Sequence, residues 1–315
     1  MFTLRKCMVF GTVLVLLVGL SAVVKASDLG AASAYNVYVL KDLNQNGGTT
    51  QGSIAAGGNA SLASVSIGGS ASGSTQPALV VGGTLTVTGG GSISNGGIYA
   101  GGNTNLPAYY YTNYSVHSNS NSLPMDFSLT SQYLVKESAY LGKLSGTGTV
   151  TDSYNKITLT GTNSGVNVFY VSSTQLATAW GLYVDVPTGA TAVVNVEGTQ
   201  VSFKNGVNSA DGGYSLDSSR VLYNFYQASE VDLGGINIQG SVLAPNATVN
   251  FNGGNFDGTL VAGDLVEQNL AMGYSKFQGN LPTAPVPEPS SAMGFGFGLI
   301  GMAGVAWRRL RSSIA

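Results

Sequence analysis

Cysteine is almost missing from this chain, since Cys7 is the only one in 315 residues. It falls in the leading apolar stretch, so the remainder has no disulfide, no thiolate metal site and no cysteine nucleophile. Histidine also occurs once, as His117. A Ser-His-Asp arrangement would have that single base to draw on, set among tyrosines and asparagines, where a loop histidine is ordinarily just solvated. Charge is scarce too, at 9% of residues. Three basic residues lie near the start (Arg5, Lys6, Lys25) and three near the end (Arg308, Arg309, Arg311). Between those terminal segments seven basic residues face fifteen acidic ones, and Arg220 is the one arginine. A net charge of about −8 offers no phosphate-neutralising surface, which excludes nucleic acid as a partner. Gly-Gly pairs such as Gly57-Gly58 are not followed by the lysine and hydroxyl of a phosphate loop. Two-carboxylate hydrolysis needs only Asp and Glu. Asp185, Glu197, Glu230, Asp232, Asp257 and Asp264 are available, but no spacing pairs them. No catalytic residue is assigned, and no enzyme is expected.

Both ends carry membrane-directed segments. Arg5 and Lys6 precede an apolar run from Met8 to Leu20, and Val24-Lys25-Ala26 fits a cleavage site before Ser27. The expectation is a signal peptide over 1–26, cut between Ala26 and Ser27. At the other end, a proline-rich linker over 283–289 contains Pro287, Glu288 and Pro289. Eighteen uncharged residues, 290–307, follow, and a basic tail, 308–315, closes the chain. Eighteen residues are near the lower limit for a membrane-spanning helix, and Gly294 and Gly298 stand in GxxxG spacing. The arginines would remain in the cytoplasm under the positive-inside rule. The body, 27–282, would then lie outside the inner membrane.

Forty-five glycines, 43% hydrophobic residues and repeated β-branched runs predict a turn-dense β structure in that body. Short phrases recur: GSIAAGGNA (52–60), ALVVGGT (78–84), GIYAGGN (97–103), GSVLAPNA (240–247) and GTLVAGD (258–264). Each is an apolar run, a small residue, a turn and a polar residue, at intervals that suit one coil of a β-solenoid. Glycine and asparagine suit the corners through their tolerance of positive φ. Side chains alternate between corners, as in Thr84 to Thr88 around Leu85 and Val87. A mainly β, parallel β-helix-like solenoid is therefore expected, with a β-sandwich as the alternative. Residues 105–122 read as a polar, aromatic loop. Leu129, Tyr133, Tyr140 and Leu144, with Leu134 and Leu141 beside them, predict one amphipathic helix packed along the solenoid. Residues 272–282 would close the domain.

The segments YNVYVLKDLNQNGGTTQGSIAAGGNASLASVSIG (35–68), VLYNFYQASEVDL (221–233) and INIQGSVLAPNATVNFNGGNFDGTLVAGDL (236–265) resemble the choice-of-anchor A domain. The tail from Val286 resembles a PEP-CTERM sorting signal. The resemblance implies an exported bacterial surface protein, adhesive or structural in role, with a β-helix. It also implies an exosortase-type enzyme that processes the tail after a transient stage in the inner membrane, and a matrix containing exopolysaccharide. The residues themselves add two candidate sites. Asp42, Asn44 and Asn46 place oxygens at alternate positions before Gly47, like the first half of a calcium loop, but Ser53 stands where a bidentate glutamate is needed. Tyr109, Tyr110, Tyr111 and Tyr114 offer flat faces and polar tips to a cell-surface glycan. No other cofactor is expected. The alternatives to a non-catalytic adhesive module are a carbohydrate-active enzyme and a protein that binds ice or another crystal surface. The last rests on the threonine row 84, 86 and 88, a single strand.

Overall fold

The computed structural model describes residues 29–68, 76–112, 114–204, 207–210 and 217–282. The expected signal peptide, linker, spanning segment and basic tail lie outside these residues. Among the described residues no helix is long and apolar enough to cross a membrane.

Short strands wind into a β-solenoid of three faces. On the first face the parallel order is 166–172, 191–197, 221–224, 242–244, 260–262, 37–39, 54–56, 79–81, 98–100 and 116–117. On the second it is 200–204, 230–234, 248–252, 264–268, 43–46, 60–63, 85–88 and 104–105. The third contains 181–185, 207–210, 236–239, 254–257, 271–272, 49–50, 66–67, 92–93 and 111–112. The antiparallel hairpin Thr149–Ser153 and Lys156–Thr160 ends that face. The β-sandwich alternative does not hold, because consecutive coils pair in parallel.

Sequence order and spatial order differ. The last coil, 260–272, stacks directly on the first, 37–50, with Val37 opposite Leu260 and Leu43 opposite Leu265. Backbone bonds seal this seam, from Leu40 N to the Ala262 carbonyl and from Leu265 N to the Asp42 carbonyl. The long helix makes the arrangement possible. α1, Phe127–Leu141, is 15 residues long, or about 22 Å. Four steps along the stack, from the row of Tyr38 to that of Asn195, cover about 19 Å at strand spacing. The helix thus carries the chain back past the seam, and the later coils are built toward it from the far end.

The two sides of the first face explain its sequence. Inward residues such as Val37, Val39, Ile54, Leu79 and Val194 fill the solenoid. Outward residues such as Tyr38, Ala55, Val80, Val193, Leu222, Leu243 and Val261 pack with Leu134 and Leu141 of α1. Both sets are buried, so these strands read as unbroken apolar runs. The second face alternates buried and exposed, as in 43–46, 60–63 and 264–268. It is the open face.

The helix differs from its expected pattern. Asp126 caps it by accepting from Leu129 N, and Gly142 ends it. The buried stripe is Thr130, Leu134, Glu137, Ser138 and Leu141, while Leu129 is exposed. The inward face is partly polar because the strands beneath it offer amides. Ser138 Oγ donates to Asn224 Oδ1 at 2.6 Å, and Asn224 Nδ2 donates to the Ser138 carbonyl at 2.9 Å. Asn224 Nδ2 also donates to Asn195 Oδ1, and Asn195 Nδ2 donates to the Leu141 carbonyl. Such a satisfied network fixes the helix's register on the sheet, which apolar contacts alone would fix less sharply. Residues 105–122 are not a loop either. Tyr111–Thr112 and Val116–His117 pair with the coil before them.

Glycine serves the corners mainly through close approach. A Cβ on Gly82 would lie 2.0 Å from the Gly57 carbonyl oxygen, and one on Gly101 would lie 2.3 Å from that of Gly82. These three glycines do not need positive φ, contrary to the expectation for such turns. Positive φ is confined to other sites, including Gly47, Gly48, Gly89 and Asn95.

A polar group lies inside the seam. Glu267 is buried and points inward beside Gln45, its register partner. Its Oε1 accepts from Leu270 N at 2.9 Å. Burial pushes its carboxyl up to about 8, and the Leu270 amide offsets only part of that. Gln45 Nε2 and Thr50 Oγ1 are buried nearby in the chain's first coil without a hydrogen-bond partner among the described residues.

Two outcomes follow from this packing. Gly82→Ala should destabilise the protein by about 1–3 kcal/mol or more, because backbone must shift. Gly90→Ala, which meets nothing within 4 Å, should leave the melting temperature nearly unchanged. Equal melting of the two variants would contradict the close-approach argument. The second outcome concerns Glu267, whose folded value lies above its unfolded one. Its contribution is fully present below about pH 4.5 and is lost as pH rises to about 8. Glu267→Gln keeps an acceptor for Leu270 N without the charge, and should raise stability at pH 9 by on the order of 4 kcal/mol. Thermal melts at pH 5 and pH 9 check this; a variant no more stable than the parent at pH 9 would refute it.

Candidate functional site

At the corner entering the open face, each coil ends in a polar residue, the last member of the repeated phrase. Asp264 Oδ1 accepts from Asp42 N at 3.2 Å, Asp42 Oδ1 from Asn59 N at 2.7 Å, and Asn59 Oδ1 from Thr84 N at 3.0 Å. Each side chain satisfies a turn amide of the next coil. The second glycine of each pair makes room for it: a Cβ on Gly58 would lie 2.3 Å from Asp42 Oδ1, and one on Gly83 would lie 2.5 Å from Asn59 Oδ1. This ladder holds the corners in line across the seam.

Strand register then sets two outward rows. One runs Ser202, Asp232, Asn250, Val266, Asn44, Ser61, Thr86 and Asn105. The other runs Lys204, Gly234, Asn252, Gln268, Asn46, Ala63 and Thr88. Rungs are about 4.8 Å apart and the rows nearly 7 Å apart. The surface is dominated by amides and hydroxyls. Its charges are largely tied to neighbours: Lys204 Nζ lies 3.3 Å from Asp232 Oδ2 and Lys41 Nζ lies 3.4 Å from Asp264 Oδ2. Asn250 Nδ2 donates to Asp232 Oδ1 at 3.0 Å and to Glu230 Oε1 at 3.3 Å.

The face has relief at one end. The short helix α2, Ser173–Thr178, takes the place of a strand there and stacks beside 200–204. Ser172 opens it with a capping box, its side chain accepting from Gln175 N. Between Ser173, Thr174 and Ala177 on this helix and Gln200, Ser202, Glu230 and Asp232 on the strands lies a groove of about 350 Å³. A second trough of about 220 Å³ continues past Asp232 to Asn250, Asn252 and Gln268. Sequence reading found the strands but missed this site, because outward residues on separate coils form one surface only through register.

The candidate residues fall in different places. Asp42 sits in the corner ladder, whereas Asn44 and Asn46 are on the outward side of the extended strand Leu43–Asn46. An extended strand spaces alternate positions nearly 7 Å apart and does not wrap them around one cation at 2.3–2.6 Å, as a calcium loop does. Among the described residues no group of three or more His, Cys, Asp and Glu could hold a metal.

The tyrosines divide. Tyr109 is 72% exposed, but Tyr110 is only 6% exposed and its hydroxyl donates to the Val65 carbonyl at 2.5 Å. Tyr110 is therefore a core residue, part of the cluster that fills the solenoid, and burial pushes its phenol up to about 12. Tyr111 belongs to the strand paired with Ser92–Ile93, and Tyr114 is half-buried. Tyr110 is thus withdrawn from any surface that Tyr109 presents. His117 stacks on Tyr99 at 4.4 Å with its Nε2 3.0 Å from Ser115 Oγ. Of the six carboxylates available for hydrolysis, Glu230 and Asp232 share the groove and Asp264 joins the ladder. Asp257 accepts from Ser218 Oγ on another side of the molecule. Asp185 and Glu197 end strands of the third and first faces.

A family model described as "Putative Ice-binding-like adhesive domain" matches residues 28–274, and one for the PEP-CTERM protein-sorting motif matches residues 285–311. No curated protein matches the chain. Among solved structures, the chain is similar to an ice-binding protein from the Antarctic ascomycete Antarctomyces psychrotrophicus, with a TM-score of 0.44 and 16% identity over 81% of this chain and 99% of that one. It is similar to an ice-binding protein from an Antarctic biological consortium, with a TM-score of 0.42 and 14% identity over 78% and 89% of the two chains. An ice-binding protein domain from Shewanella frigidimarina gives 0.35 and 15% over 81% and 98%.

The division among the tyrosines has a direct consequence. Tyr110→Phe leaves a buried carbonyl unsatisfied and should cost about 1–3 kcal/mol, whereas Tyr109→Ser should stay within about 0.5 kcal/mol. Urea denaturation of the two variants checks this, and equal midpoints would contradict it.

Proposed function

The chain belongs to the ice-binding-like adhesive domain family and ends in a PEP-CTERM sorting motif, and from that premise we propose that the open face holds a neutral polysaccharide of the surrounding matrix. The sorting motif marks an exported protein, sorted to the cell surface and processed by an exosortase. The molecule is a cell-surface adhesive module. The finer steps belong to this reading. Signal cleavage falls between Ala26 and Ser27, and the tail is cut near Pro287-Glu288-Pro289. Residues 290–307 sit only transiently in the inner membrane, with Arg308, Arg309 and Arg311 on the cytoplasmic side. The similarity of 35–68, 221–233 and 236–265 to the choice-of-anchor A domain is the finer family reading. The role is non-catalytic.

One observation carries the ligand assignment: the row Asn250, Val266, Asn44, Ser61, Thr86 and Asn105 presents side chains of unequal length across consecutive parallel strands. Amide and hydroxyl tips at a 4.8 Å repeat match the donors and acceptors of sugar hydroxyls. Extended polymers can contact several coils at once, so weak contacts add along the face. Calcium is not needed for this contact. A second reading is ice or another crystal surface. Its support is that Thr86 and Thr88 belong to an eight-strand face and not to an isolated strand. The unequal row favours the glycan.

Glycan-array binding of the purified chain beside the double variant Asn44→Leu with Ser61→Leu tests both readings. The parent should bind neutral polysaccharide, and the variant should bind about tenfold more weakly at an unchanged melting temperature. Thermal hysteresis without glycan binding would replace the first reading with the second. Hydrolysis of the bound glycan would refute the non-catalytic role.

A further inference from the structure

The end of the solenoid that carries α2 is also the end at which the chain leaves the body. Residues 273–282 form a strap along the corner where the first face begins, and its bonds climb the stack. Phe277 N donates to Thr259 Oγ1 at 3.1 Å, Gln278 N to the Ser219 carbonyl at 2.7 Å and Asn280 N to Thr191 Oγ1 at 2.9 Å. Those partners stand at the starts of the strands 260–262, 221–224 and 191–197, in that order toward the terminal strand Val166–Ser172. Leu281 is buried in one cluster with Val168 of that strand.

The same end exposes large rings. Tyr154 is 96% exposed at the tip of the hairpin joining Thr149–Ser153 to Lys156–Thr160, and Trp180 is 49% exposed just after α2. Trp180 Nε1 donates to the Tyr154 carbonyl at 2.9 Å, and Trp180 N donates to the Asn155 carbonyl at 3.1 Å, which ties the indole to the hairpin tip. Residues 143–165, the connection from α1 and the hairpin, carry two lysines, Lys143 and Lys156, against one acidic residue, Asp152. The excess negative charge of the body therefore lies elsewhere, and this end does not repel an anionic surface. Seven residues, 283–289, separate the strap from the apolar run 290–307, and fully extended they reach at most about 25 Å.

We propose that, while residues 290–307 span the inner membrane, this end of the solenoid docks on the bilayer, with Trp180 and Tyr154 at the level of the lipid headgroups. The docking rests on the spanning reading of 290–307. Rings with an apolar body and a polar tip favour that interface. The short tether keeps them near lipid at a high effective concentration, so weak contacts suffice. The stack then stands end-on. Its far rung, 116–117, is about 43 Å from the strand Val166–Ser172 at strand spacing, and the open face stays clear of the membrane along most of its length. Pro287-Glu288-Pro289 is held beside the bilayer.

Single-indole versions of the full chain, reconstituted in phospholipid vesicles brominated near the headgroup, test this. The sequence contains two tryptophans, Trp180 and Trp307. Trp180→Phe leaves Trp307, whose quenching by the bromolipid reports that 290–307 is inserted. Trp307→Phe leaves Trp180, which should also be quenched. Replacing both by phenylalanine and adding Tyr109→Trp puts one indole near the far end, where quenching should be about threefold weaker than at Trp180. In the Trp180-only chain, Tyr154→Ser should lower the quenching about twofold without changing the melting temperature. Quenching of Trp307 with Trp180 no more quenched than the far indole would overturn the docking and leave the spanning reading in place. An unquenched Trp307 would overturn both. Equal quenching of the Tyr154→Ser chain would also overturn the docking, as would Trp180 emission that answers cellohexaose and not lipid.

Discussion

At the corner between the helix face and the open face, the carbonyl oxygen of one glycine occupies the space where a side chain of the next coil would begin. Gly57, Gly82 and Gly101 share this contact, and the glycines beside the first two leave room for the capping oxygens of Asp42 and Asn59. Corners that approach so closely must stack in register. A slip by one residue would bring a Cβ into the gap and would also turn the buried set of every strand outward. Corner geometry thus sets the register, register sets which side chains share a row, and the rows make the surface.

The same constraint lets sequence-distant coils join. Asp264, in the last coil, caps an amide of the first coil as Asp42 caps the next. The ladder therefore does not distinguish the seam from any other step. The polar interior does distinguish it, because Glu267 and Gln45 lie side by side there. α1 supplies the return path and covers the first face, which leaves the open face to solvent. Packing of the helix is thereby confined to one side of the sheet system.

Much of this was legible in the chain. The phrases AAGGN, VVGGT and VAGD gave the solenoid, because apolar run, small residue and capping oxygen are the physical parts of one corner. The helix was legible in position but not in facing. Its buried stripe follows Ser138 and Leu141, whose partners Asn224 and Asn195 lie far away in sequence. Tyr110 and Tyr109 are alike in sequence, and only the stack decides that one plugs the interior and the other faces water. The open face was not legible at all, since Asn44, Ser61 and Thr86 become neighbours only through pairing.

The central claim is that the last coil closes on the first to give one continuous stack. Native-state hydrogen exchange at the seam tests it most directly. The amides of Leu40 and Lys41 donate to the Ala262 and Gly263 carbonyls across it, and Leu85 N donates to the Asn103 carbonyl within one run of coils. One cooperative stack requires Leu40 and Lys41 to exchange only through global unfolding, with the same opening free energy as Leu85. Fast exchange at Leu40 and Lys41 while Leu85 stays protected would mean two separable units, and would contradict the account.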